Sequence, residues 1–79
     1  MMNVYKVTLE NNIEYTVIDK LVFNSKEYLL LVNIDDVKDF CIRIHTKSYD
    51  IDYLERLDSK YEFNNVFNMF KEKNKDLFE

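Results

Sequence analysis

Across 79 residues this chain contains no glycine and no proline. Tight chain reversals draw on positive φ, which glycine adopts without steric penalty and most other residues do not. A glycine-free chain must fill such positions with Asn or Asp, whose short polar side chains tolerate the left-handed region. Asn11-Asn12 and Asn24-Ser25-Lys26 are accordingly read as turns, with further polar reversals at Asp35-Asp36-Val37-Lys38 and from Thr46 to Asp50. Ala, Trp and Gln are also missing, and Lys outnumbers Arg nine to two, which points to AT-biased coding in a bacterium or its phage.

Between these turns the residues alternate with the period of a strand. Val4 to Leu9 sets Tyr5, Val7 and Leu9 against Lys6 and Thr8. Ile13 to Phe23 places Ile13, Tyr15 and Val17 on one side and is long enough to need a bulge or bend near Asp19-Lys20. Tyr28 to Ile34 is almost wholly apolar, the pattern of a central strand covered on both faces. Phe40, Ile42 and Ile44 alternate with Cys41, Arg43 and His45 in a fourth strand, and Ile51 to Leu57 supplies a shorter fifth, with Tyr53 on the side of Ile51 and Leu54 on the other.

Near residue 58 the period changes. Ser59-Lys60-Tyr61-Glu62 has the spacing of a capping box, with Asp58 as an alternative cap, and Phe63, Val66, Phe67 and Phe70 follow at helical intervals as one aromatic stripe. Leu77 extends the stripe, while Lys71 to Asp76 is charged and reads as either helical or frayed. The chain is therefore expected to be a single α+β domain. Residues 1–57 form an antiparallel meander of four or five strands, 58–73 a helix packed on one face, and 74–79 a charged tail.

A domain of this length has a thin core, and its function is expected on its surface. Cys41 is the sole cysteine, so no intrachain disulfide can form and a reducing, cytoplasmic setting is expected. Lys6 and Glu10 interrupt the opening residues before an export signal could form, and the apolar run Tyr28–Val32 falls far short of the roughly 20 residues that span a bilayer. The net charge of −4 argues against general affinity for nucleic acid or anionic lipid. The expected partner is another protein rather than nucleic acid or membrane, with the chain acting as a monomer or homodimer.

Catalytic signatures are scarce. Without glycine neither the phosphate-cradling loop nor the dinucleotide fingerprint can be built. Cys41 and His45 lie four residues apart on one strand, roughly 13 Å, too far for a thiol–imidazole pair. The acidic clusters Asp35, Asp36, Asp39 and Asp50, Asp52, Glu55 lack calcium-loop spacing and read as solvated carboxylates. No enzyme activity, cofactor or metal is expected. Twelve of the residues are Phe or Tyr, six of each. Tyr in particular serves at interfaces, where an apolar ring and a polar tip are both useful. Tyr49, Tyr53 and Tyr61, with Asp35, Asp36, Asp39, Asp50 and Asp52, are the candidate partner-binding residues.

The run from Val7 to Val32, the strand around Phe40–His45 and the stretch from Asp58 to Phe70 resemble, in that order, the YrzB-like family of small bacterial proteins of unknown function. The most specific parts are Lys26-Glu27-Tyr28 and the acidic cap leading into Phe63, Val66, Phe67 and Phe70. The resemblance spans nearly the whole chain, implies the same α+β fold and brings no catalytic residues with it. Three functional classes stand open at this level. The first is a non-enzymatic adaptor or regulator. The second is a phage or mobile-element inhibitor that blocks a nucleic-acid-handling defence complex with its acidic groups, and the third a metal- or small-molecule-dependent enzyme.

Overall fold

A computed structural model describes residues 5–78, with side-chain surroundings for residues 6–76. Five strands, β1 (Tyr5–Thr8), β2 (Glu14–Phe23), β3 (Lys26–Asn33), β4 (Asp36–Ser48) and β5 (Ile51–Glu55), precede α1 (Lys60–Lys73) and the short α2 (Lys75–Phe78). The strands lie side by side in chain order, each antiparallel to the next. The α+β meander expected from the periodicity is thus present, with five strands. Val4, expected to open the first strand, lies outside the described residues, as does the side chain of Leu77.

The turns answer the absence of glycine in part as expected. Asn12, Asn24 and Asp50 have φ of 61°, 51° and 65°, but Ser25 at 63° and Tyr49 at 51° also enter the left-handed region. The two hairpins at Asn24-Ser25 and Tyr49-Asp50 each carry two consecutive positive φ values, the geometry whose twist matches that of the flanking strands. Such a turn needs only two residues, so β4 continues to Ser48, which pairs with Ile51, and the broad turn expected from Thr46 to Asp50 shrinks to its last two residues.

The loop expected at Asp35–Lys38 is also shorter. β4 begins at Asp36, opposite Asn33, and the register then shifts so that Phe40 faces Val32. Short side chains support the irregular stretch: Asp35 N donates to Asn33 Oδ1 at 2.9 Å and Lys38 N to Asp36 Oδ1 at 3.1 Å, in place of regular ladder bonds. At the other end, β5 stops at Glu55 rather than Leu57. Leu57 turns away from the ladder and packs in the cluster beneath α1.

The bulge in β2 falls between Val17 and Asp19, one step before the expected place, and it decides how the core is divided. Before it Tyr15 and Val17 face one side of the sheet, and after it Leu21 and Phe23 face the other, because the inserted residue shifts the alternation by one. Tyr28, Leu30, Ile42 and Ile44 are buried on the second side together with Val66 and Phe70 of α1. Leu9, Tyr15, Leu29 and Leu31 are buried on the first, where Val7 and Leu54 from opposite ends of the meander pack against the same cluster, as a curled sheet allows. Tyr28 to Leu31 is therefore buried on both faces, as its unbroken apolar run predicts.

Both ends of α1 are pinned. Ser59 Oγ accepts from Glu62 N at 3.1 Å, as the capping box predicts, while the Glu62 carboxylate reaches back to Asp58 N at 3.0 Å and accepts from the Tyr28 phenol at 2.5 Å. At the far end Lys73 Nζ and Asn74 Nδ2 both reach Asp19, each at 2.8 Å, tying the helix to the bulge of β2. Phe63, expected inward with the stripe, is 37% exposed, because the first helical turn overhangs the place where β5 has ended.

Candidate interaction surface

Four of the sequence-derived candidates, Tyr49, Asp50, Asp52 and Tyr53, and one residue not among them, Ile51, meet at the β4–β5 hairpin. Tyr49 occupies the first turn position and is 97% exposed, and Asp50 follows it. Ile51 and Tyr53, two apart in β5, share a face and are 55% and 46% exposed. Asp52 and Leu54 point to the opposite face, where Leu54 is half-buried. Among the described residues no strand pairs with the outer edge of β5, so its backbone groups and these apolar side chains lie on one border of the sheet. Asp50, Asp52 and Glu55 give that border an acidic character, relieved by Lys47 opposite Asp52.

The hairpin is held to the sheet by His45. Its Nδ1 lies 2.7 Å from a Glu27 carboxylate oxygen on β3 and its Nε2 2.8 Å from Asp52 on β5, so one imidazole spans three strands. Both ring nitrogens can donate only when both are protonated. The Glu27 carboxylate, and then that of Asp52, hold the His45 pKa above its usual value against a smaller opposing effect of burial. The sequence presents His45 as a strand-end surface residue; the longer β4 makes it a half-buried mid-strand residue with two acid partners.

The remaining candidates lie elsewhere. Tyr61, 78% exposed, stands in the first turn of α1, whose Glu62 meets Tyr28 in the row where Tyr28 faces Ile44. Tyr49 is five residues beyond Ile44 along β4, about 16 Å in an extended strand. Asp35 belongs to the β3–β4 turn and Asp36 opens β4, at the opposite end of that strand from Asp50 and Asp52. Asp39 is not a solvated loop carboxylate: its Oδ2 accepts from the Tyr15 phenol at 2.9 Å and from Asn33 Nδ2 at 3.2 Å, locking the irregular start of β4 against β2 and β3. The five aspartates thus do not form one acidic patch.

Cys41 is half-buried beside the cluster of Leu9 and Leu31, and burial raises its pKa to about 11, which keeps it a thiol rather than a nucleophilic thiolate near neutrality. Among the described residues no group of three His, Cys, Asp or Glu side chains is placed to hold a metal ion, and no helix is long and apolar enough to cross a membrane. Comparison with family models, with curated proteins and with solved structures finds no match to this chain.

Proposed function

We propose that this chain is a non-enzymatic protein-interaction module that engages a partner protein through the β4–β5 hairpin, with Tyr49 as its anchor. The observation that carries this reading is the conformation of Tyr49. A bulky aromatic residue sits at φ of 51°, a region disfavoured for residues with a Cβ, and projects its ring almost entirely into solvent. The hairpin calls for a positive φ here, but an aromatic ring so exposed adds no packing to the fold, and strained backbone with an exposed aromatic side chain is the pattern of a recognition element. Ile51 and Tyr53 extend the apolar area, and Asp50, Asp52 and Glu55 favour a partner surface with basic groups. The His45 clasp supports the reading further, since a rigid hairpin loses little conformational entropy on binding. A lone cysteine held as thiol accords with a reducing, cytoplasmic setting.

The test is Tyr49→Asn used as bait beside the wild type in affinity capture from a bacterial lysate. Asn suits positive φ, so this variant keeps the turn and removes only the ring. A stoichiometric partner captured by the wild type and lost by Tyr49→Asn is the expected result. Equal capture by both baits would refute the assignment.

A further inference from the structure

The β4–β5 ladder ends at Ile44 and Glu55, and past that point the two chains separate. Between them lies a slot of about 450 Å³, with Phe40 to Arg43 of β4 on one wall, Arg56 to Lys60 on the other, and Phe63 of α1 closing it. In a chain of net charge −4 its lining is locally cationic: Arg43, Arg56 and Lys60 stand against Asp58. The amides of Lys60 and Tyr61, at the start of α1, have no intrahelical acceptor by position, and they add the positive end of the helix dipole. The other surfaces of the slot are apolar, contributed by Phe40, Ile42, Leu57 and Phe63.

One carboxylate already shows how the cations work. Glu10, arriving from the β1–β2 turn and not itself lining the slot, places a single oxygen 3.0 Å from Arg43 Nη2 and 2.9 Å from both Nε and Nη2 of Arg56. Two guanidiniums from separate segments thus converge on one acid. Glu10 remains exposed, so an outside carboxylate can compete for the same donors. Arg43 is the better-buried donor of the pair, and its Nε is enclosed without an acceptor. Its Nη1 donates to the Ile42 carbonyl at 3.0 Å, which occupies that edge of β4 and makes simple strand addition there unfavourable. Recognition in the slot therefore rests on side chains.

We infer that this slot is a second binding site, which takes an extended partner segment presenting an acidic side chain next to an apolar one, with Glu10 as an internal competitor for Arg43 and Arg56. The acid would meet the guanidiniums and the neighbouring apolar group the wall of Phe40, Ile42 and Phe63. Charge complementarity favours this occupant over a basic segment, which Arg56 and Lys60 would repel.

The site can be tested by titrating the full chain with the acetylated peptide amide Val-Glu-Phe-Glu and its Val-Gln-Phe-Gln counterpart, following backbone amide shifts by NMR. Saturable shifts confined to residues 40–43 and 56–60 are expected with the glutamate peptide. The glutamine peptide should bind about fivefold more weakly, as expected for the loss of a charge-assisted hydrogen bond. Arg56→Gln should weaken the glutamate peptide by a similar factor and Glu10→Gln should strengthen it. Both are surface changes whose folding the same spectra report. The Glu10 variant is the decisive arm, because a merely structural salt bridge would leave affinity unchanged or reduced on its removal. Absence of shifts in the slot at about 10 mM peptide, equal binding of the two peptides, or unchanged binding to Glu10→Gln would each overturn the inference.

Discussion

The imidazole of His45 meets the carboxylate of Asp52 at 2.8 Å across the β4–β5 ladder while its other nitrogen meets Glu27 at 2.7 Å. With only five paired positions joining β5 to β4, this clasp is a substantial part of what fixes the hairpin. Its strength depends on protonation. The folded state holds the His45 pKa above the unfolded value, so the contribution is complete below the unfolded pKa near 6.5 and is lost as pH rises through the folded one. The urea midpoint of the wild type is expected to fall as pH is raised above about 6.5 through this range. His45→Gln should show a flatter profile over the same interval. A wild-type midpoint that rises over that interval would contradict the clasp.

Replacing Tyr49 by Asn should stabilise the fold, since it substitutes a residue that accepts positive φ for one that does not. The expected gain is about 0.5–1 kcal/mol, a part of the left-handed penalty for an ordinary residue. Urea unfolding of Tyr49→Asn measures it, and a loss of stability would mean that the Tyr49 ring makes contacts its near-complete exposure does not reveal.

Phe70 and Val66 are fully buried between α1 and the sheet, against Tyr28, Leu30, Ile42 and Ile44. Phe70→Ala removes most of the ring volume from a cluster with little else to fill it. A loss of about 3–5 kcal/mol is expected, a large share of a total of order 5–15 kcal/mol. A lower urea midpoint is the visible consequence. A midpoint unchanged from the wild type would show that α1 is not seated as described.

The helix start allows a graded comparison. Ser59→Ala removes one cap acceptor and should cost about 1 kcal/mol. Glu62→Ala removes the acceptor for the Tyr28 phenol, the Asp58 amide and Lys26 together, and should cost more than the cap alone. The hydrogen bond from Tyr28, followed by that from Asp58, lowers the Glu62 pKa. The Glu62 contribution is therefore present above the unfolded carboxylate pKa and disappears as pH falls through the folded value. Urea midpoints of the wild type and Glu62→Ala should differ at pH 7 and draw together as pH falls below about 4.

Much of this architecture is legible in the sequence because it rests on local rules. The strand periods, the both-faces-buried Tyr28–Leu31 and the Ser59 cap depend on neighbours one to four residues away, and the structure keeps them. The placement of the hairpin at Tyr49-Asp50 escapes such rules, since Tyr has no preference for positive φ and the polar run from Thr46 to Asp50 marks a reversal without fixing its two turn residues. The consequence spreads. Once Ser48 is set opposite Ile51, Asp52 falls diagonally beside His45, and the clasp follows from register rather than from any motif. The Arg43–Glu10–Arg56 cluster is less accessible still, because it joins residues 33 and 46 positions apart through the curl of the sheet. Tyr49 and Tyr53 were available as candidates from residue type alone; Ile51, His45 and Glu10 needed the pairing.

The anchoring of Lys73 and Asn74 on Asp19 makes the β2 bulge responsible for the far end of α1. Burial raises the pKa of Asp19, but the hydrogen bonds from Lys73, Asn74 and the Lys20 amide outweigh it and leave the group below its usual value. Asp19→Ala deletes the two contacts to its carboxylate, leaving Lys73 only its bond to the Lys20 carbonyl and the apolar face of α1 untouched, so unfolding should be local rather than global. Amide hydrogen exchange is expected to quicken from Phe70 to Asn74, with Val66 and the β3 amides little affected. Uniform acceleration across the chain would mean instead that Asp19 supports the bulge itself, and that the switch of β2 between the two faces of the sheet depends on its carboxylate.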